Sequence, residues 1–175
     1  MNERIENTAA MLDWVNRITG GAIRWLALIM VLVQFVIVVL RYVFGISDIA
    51  LSESVLYMHG FLFMIGAGYT FLHDGHVRVD FFYQTASTRT RDVIDLIGAV
   101  FFVLPSMAVF LWFTWPFIRS SWRIFEGPQS VGGIPALFLL KSLIPAFCIL
   151  LAVQALAHGL RAIGRLMSPE DEYRP

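Results

Sequence analysis

Between Leu96 and Ile118 the chain carries no charged side chain. A helix needs roughly 20 mainly apolar residues to cross the hydrocarbon core of a bilayer, so this run alone is long enough to span one. It belongs to an apolar stretch covering about 93–118, and three others of comparable length cover about 22–44, 52–72 and 137–160. With 58% hydrophobic residues, 15% charged residues and a mean hydropathy of +0.70, 175 residues could not hide this much apolar surface from water. The sequence therefore predicts an all-α membrane protein, with four transmembrane helices plus short interfacial amphipathic helices, in which residues 22–165 form one membrane domain.

The ends differ from this middle. Residues 1–21 carry Glu3, Arg4, Glu6, Asp13 and Arg17 with no apolar run ahead of the first span, so no cleavable signal peptide is expected. Met11, Leu12, Val15, Ile18 and Ala22 recur at helical spacing while Asp13, Asn16 and Arg17 fall elsewhere. That pattern predicts an interfacial helix over 1–21 with Trp14 at headgroup depth. The polar residues 166–175 are expected to form a disordered tail. Cys148, the one cysteine, sits inside the fourth span and is expected to be a small buried apolar group.

Orientation follows from the basic residues flanking the spans. Four spans put both termini and the second loop on one side, with Arg4, Arg17, Arg24, Arg78, Arg89, Arg91, Arg161, Arg165 and Arg174, nine in all. The other side has Arg41, Arg119, Arg123 and Lys141. Both termini are expected to be cytoplasmic.

Within the spans, Gln34 is expected to make a helix-packing hydrogen bond. Ser47 or Asp48 should cap the second helix, with Glu53 in its first turn. Gly66 and Gly68 should let another helix approach closely. Pro105 frees the carbonyl of Phe101 and should kink the third helix, and Pro145 frees the carbonyl of Lys141. Lys141 either snorkels to the outer surface or pairs with Glu53 or Glu126. The loop from Arg119 to Ala136 mixes Trp122, Ile124 and Phe125 with Arg119, Arg123 and Glu126 and then breaks at Gly127-Pro128 and Gly132-Gly133. It is expected to be partly helical on the outer face, with Trp112, Trp115 and Trp122 in the aromatic belt.

Little here could do chemistry. Haem held by two histidines is disfavoured, because His59 and His158 fall at depths roughly 20 Å apart at 1.5 Å per residue. A self-sufficient carrier needs an ionisable group deep in the membrane, and His59 is the only candidate. No phosphate-binding loop, nucleophile elbow or metal-ligand spacing occurs. The residues read as a non-enzymatic membrane subunit whose partner does the chemistry. A stand-alone tetraspan carrier and a membrane anchor for a redox enzyme are the competing readings.

The densest motif lies between spans two and three, in GAGYTFLHDGHVRVDFFYQTASTRTRDVIDLIG, Gly66 to Gly98. Its Gly75-His76-Val77-Arg78-Val79-Asp80 core, the Arg-rich stretch behind it and Asp95-Leu96-Ile97-Gly98 resemble the small membrane subunit of tripartite ATP-independent periplasmic (TRAP) transporters, the DctQ-type family. Leu104-Pro105, Trp115-Pro116-Phe117, Gly132-Gly133 with Pro135, Lys141-Ser142-Leu143-Ile144-Pro145 and Gln154 extend the resemblance over about residues 20–165. The chain departs from the pattern at Ser52-Glu53-Ser54, where paired acids are common, at Ile134-Pro135-Ala136, where a Trp usually precedes the proline, and at His158, where an acid is frequent.

The resemblance implies a multi-pass protein of the bacterial inner membrane, without a cofactor of its own and without a nucleic-acid partner. Surrounded by membrane lipids, it would brace a large multi-span permease of the elevator type. That permease would hold the substrate and Na⁺ sites, and a periplasmic solute-binding protein would deliver an organic acid. The residues expected at the partner interface are His76, Arg78, Asp80, Arg91, Asp95, Pro105, Lys141 and Pro145. Arg119, Trp122 and Arg123 are expected to touch the delivered binding protein. Arg78 and Asp80, with Arg89, Arg91, Asp92 and Asp95, are expected to fix spans two and three to each other and to the large subunit.

Overall fold

The computed structural model describes residues 3–76, 86–128 and 130–167. Four helices long and apolar enough to cross a membrane run alternately up and down: α1 (Glu3–Val43), α2 (Ile49–Leu72), α3 (Thr88–Arg123) and α4 (Leu137–Leu166). No strand occurs among the described residues. α4 is the central post, against which α1, α2 and α3 all pack, and α1 also lies along α2.

α1 is one unbroken helix of 41 residues. At 1.5 Å per residue it is about 60 Å long, twice the depth of the hydrocarbon core. It thus covers both the expected interfacial segment and the first span. Its four buried residues are Ala9, Asp13, Asn16 and Gly20, a stripe at spacings of four, three and four. Met11, Trp14 and Ile18 are exposed instead. The apolar stripe that the sequence suggests would lie against the membrane is open, and the polar residues face the bundle.

Elsewhere, too, the interior is built from small side chains. Ala67, Ala99, Ala155, Ala157 and Ala162 are buried, while Phe101, Phe102, Trp112 and Phe113 are exposed. Hydrocarbon solvates phenylalanine well, so large apolar groups gain little by turning inward, and contact between backbones comes from small residues. Gly68 shows this most sharply. A Cβ there would collide with the Asn16 side chain and press on Leu150 Cβ at 3.1 Å. At Gly20 a Cβ would run into the Tyr69 ring.

The helix ends are set by local chemistry. Asp48 caps α2, its carboxylate accepting the Leu51 amide at 2.6 Å. α2 closes with Asp74 at φ 52°, where the Gly75 amide bonds the Thr70 carbonyl at 2.8 Å and the Asp74 amide bonds Phe71 at 3.1 Å. α3 closes the same way around Phe125 at φ 44°, with Glu126 bonding Ser121 and Phe125 bonding Trp122. This doubly bonded left-handed ending normally takes glycine at its pivot, and a phenylalanine there costs about 1–2 kcal/mol.

The prolines are absorbed differently. Ahead of Pro105, residues Gly98–Val103 widen into a π-helical turn in which the Leu104 amide bonds the Ala99 carbonyl. The wider register accommodates a proline that cannot donate. α4 is interrupted at Ser142, between Leu137–Lys141 and Leu143–Leu166, just before Pro145. Gln34, expected to bond a neighbouring helix, lies on an exposed face of α1.

Candidate functional site: the helix joints

The bundle's polar chemistry lies at its two ends. At the end carrying the α1 N-terminus, four side chains form a ladder between α1 and α4. Asn16 Nδ2 donates to Gln154 Oε1 at 2.9 Å and to the Leu150 carbonyl at 3.2 Å. Gln154 Nε2 donates to Asp13 Oδ1 at 2.9 Å. Arg161 then grips Asp13, with Nη2 on Oδ2 and Nη1 on Oδ1 at 3.4 Å. Its Nε lies 3.7 Å from Glu6 Oε1. Asn16 and Gln154 are fully buried and Asp13 nearly so. A planar guanidinium suits this task, since it meets both carboxylate oxygens at once.

A second ion pair one turn further along α4 joins α3. Arg165 Nε donates to Asp92 Oδ1 at 2.6 Å, with Asp92 buried. Arg161 and Arg165 lie four residues apart on α4, so successive turns hold different neighbours. α3 starts from a Ser87 cap whose hydroxyl accepts the Thr90 amide at 3.2 Å. Arg91 reaches back to the Ala86 carbonyl at 3.1 Å.

Of the residues singled out in the sequence, Arg78 and Asp80 lie outside the described residues. His76 lies beside α2, its Nε2 3.3 Å from the Ala67 carbonyl and its ring edge-on to Phe71. Phe71 also stacks face to face with His158, centroids 4.8 Å apart. His59 stacks on Phe63. His59 and His76 border a crevice of about 600 Å³ between α1, α2 and α4, otherwise lined mainly by apolar groups. The Asp92 bridge binds span three to span four; the expected network joining spans two and three includes Arg78 and Asp80 and so lies in part outside the described residues.

At the opposite end Lys141 pairs with Glu126 rather than snorkelling, and its ammonium also lies 3.9 Å from the Phe117 ring centroid. Glu53 turns to the loop and accepts the Ile134 amide at 2.7 Å. Gly133 leaves the room, because a Cβ there would meet the Glu53 carboxylate. Trp122 Nε1 donates to Ser142 Oγ at 2.8 Å, and its ring packs edge-on against Phe138, as does that of Phe125. A hydrogen bond from Lys141 holds the Glu126 carboxyl below its ordinary value of 4.5. Arg119 and Arg123 are exposed at the end of α3. Arg91 and Asp95 lie at the other end of the bundle from Lys141 and Pro145.

The sequence reading missed the ladder's two lower rungs. Asp13 and Asn16 looked like the wet side of an amphipathic helix. Their signal is the stripe Ala9, Asp13, Asn16, Gly20, small and polar residues in the register of a packed seam.

Fold and joints together define a helical membrane protein whose buried polar groups fasten its own helices. The family model for the DctQ component of tripartite ATP-independent periplasmic transporters matches residues 30–165, most of the chain, which therefore belongs to that family. The matched stretch contains Gln154, Arg161, Asp92 and Arg165, and the α1 extension bearing Asp13 and Asn16 precedes it. No curated protein and no solved structure matches the chain closely enough to add to this.

Proposed function

We propose that this chain is the small permease subunit of a TRAP transporter, a fixed brace for a large elevator-type permease in the ion-driven uptake of an organic acid delivered by a periplasmic binding protein. One observation supports this reading most. The buried ionic and amide groups of the α1–α4 ladder bond one another, so they lock helices together instead of lining a path for a solute. A moving carrier needs polar groups that change partners, whereas a brace needs them satisfied in one geometry.

The chain would lie in the bacterial inner membrane with both termini cytoplasmic, as the excess of arginine at that end favours. The ladder would then stand at the cytoplasmic surface. His76, Arg78, Asp80, Arg91 and Asp95 would meet the large subunit there. Lys141, Pro105 and Pro145 would shape the wall it leans on. Arg119, Trp122 and Arg123 would face the docked binding protein, and Na⁺ coupling would belong to the large subunit.

Uptake into proteoliposomes tests the reading. Vesicles with the large subunit, this chain and binding protein should accumulate solute down a Na⁺ gradient, while vesicles with this chain alone should not. Transport by the chain alone would point to the stand-alone carrier.

A further inference from the structure

All four buried residues of α1 precede Gly21, so the half of the helix inside the hydrocarbon buries none of its side chains within the chain. On that half, Val31, Phe35, Val38 and Tyr42 are exposed at 61%, 66%, 42% and 80%. Gln34 lies among them, at spacings of three and four from Val31 and Val38, near the middle of the expected span 22–44. It too is exposed, and it makes no hydrogen bond among the described residues. The buried amides behave differently, since Asn16 and Gln154 bond each other.

A primary amide at that depth cannot reach water, and lipid tails offer it neither donor nor acceptor. The ends of a span can relieve a polar group by snorkelling, but a short glutamine at mid-depth cannot. What covers this face must therefore present a polar atom inside the bilayer, which another transmembrane helix can do.

We propose that the Val31–Tyr42 face of α1 is the docking surface for a transmembrane helix of the large permease subunit, with Gln34 hydrogen-bonding a backbone carbonyl or polar side chain of that helix. This rests on the function proposed above and names the surface through which the brace is attached. Gln34 gives the joint its register, and Phe35 and Tyr42 supply the area around it. α3, as aromatic on its open side at Phe101, Phe102, Trp112 and Phe113, carries the hydroxyl of Ser106 there but no primary amide.

The test pairs Gln34→Leu with a photoreactive benzophenone side chain at position 35. Gln34→Leu keeps roughly the size and replaces the amide by an apolar group on an exposed face of α1, so the chain alone should melt as the unaltered protein does. Its affinity for the large subunit should fall about three- to twentyfold, the range measured for one hydrogen bond between membrane helices. Irradiation of cells should cross-link position 35 to the large subunit. Unchanged affinity of Gln34→Leu, or cross-links only to lipid or to a second copy of this chain, would overturn the docking surface while leaving the brace reading intact. Failure of the unaltered chain to bind any large subunit would instead overturn the brace reading itself.

Discussion

The two ends of the bundle use the same kinds of residue to different effect. At the end carrying the α1 N-terminus, Asp13, Asn16 and Gln154 are buried and bonded in series, and Arg161 closes the ladder. At the other end Glu126 and Lys141 also pair, but on a partly open surface beside an irregular loop. Burial sets the difference in consequence. Removing one member of a buried pair strands the other in a poor solvent, whereas an exposed pair gives its charges back to water. The first end should therefore be rigid and intolerant, the second adjustable.

The largest effect should come from Arg161→Ala. It leaves Asp13 charged and buried, and should destabilise the chain in detergent by about 3 kcal/mol, read as a fall in unfolding midpoint. The double variant Asp13→Leu with Arg161→Leu should cost less than either single change, because neither charge is left behind. If the double variant cost the sum of the singles, the ladder would not be one coupled unit.

Gln154→Leu comes next. It removes the bridge between Asn16 and Asp13 but strands no full charge, and interhelical hydrogen bonds in membranes are worth about 1 kcal/mol. A loss of about 1–2 kcal/mol is expected, measured in the same unfolding assay. No loss would mean that the amide merely fills space.

The smallest effect belongs to the opposite end and has a defined pH window. Glu126 titrates below its ordinary value of 4.5 in the folded chain because Lys141 hydrogen-bonds its ionised form. Its contribution is therefore complete above 4.5 and is lost as pH falls through the lower folded value. Lys141→Gln should lower the unfolding midpoint slightly at neutral pH and flatten its fall in the acid range, so that the two chains converge once Glu126 is protonated. An effect at neutral pH as large as that of Arg161→Ala would erase the contrast between the ends.

How legible this was in the sequence depends on which solvent each residue faces. The four spans were plain, since runs such as Leu96 to Ile118 leave the chain no other option. A cap at Ser47 or Asp48 and a close approach at Gly66 and Gly68 were readable from local pattern, and the structure selects Asp48 and Gly68. Lys141 had two readings, and only placement of the 124–136 loop selects Glu126 over Glu53. α1 misled on its polar side, because Asp13 and Asn16 read as the wet face of an interfacial helix, whereas in a membrane bundle polar groups can form the packed seam. Met11, Val15 and Ile18 obey the membrane's rule and face outward, while Asp13 and Asn16 face α4. Pairings such as Asp92 with Arg165 join residues far apart in sequence, and no local pattern announces them.

A distance measurement tests the central claim, that the joined helices form a frame which stays still while a partner moves. Spin labels placed at Met11 on α1 and Leu156 on α4, both exposed, with Cys148 replaced by Ala, report the separation across the ladder. The prediction is a single narrow distance distribution, the same for the chain alone and for the assembly with Na⁺ and cargo-loaded binding protein. A peak that moves or splits when cargo is supplied would mean that α1 and α4 take part in the transport stroke, contradicting the account.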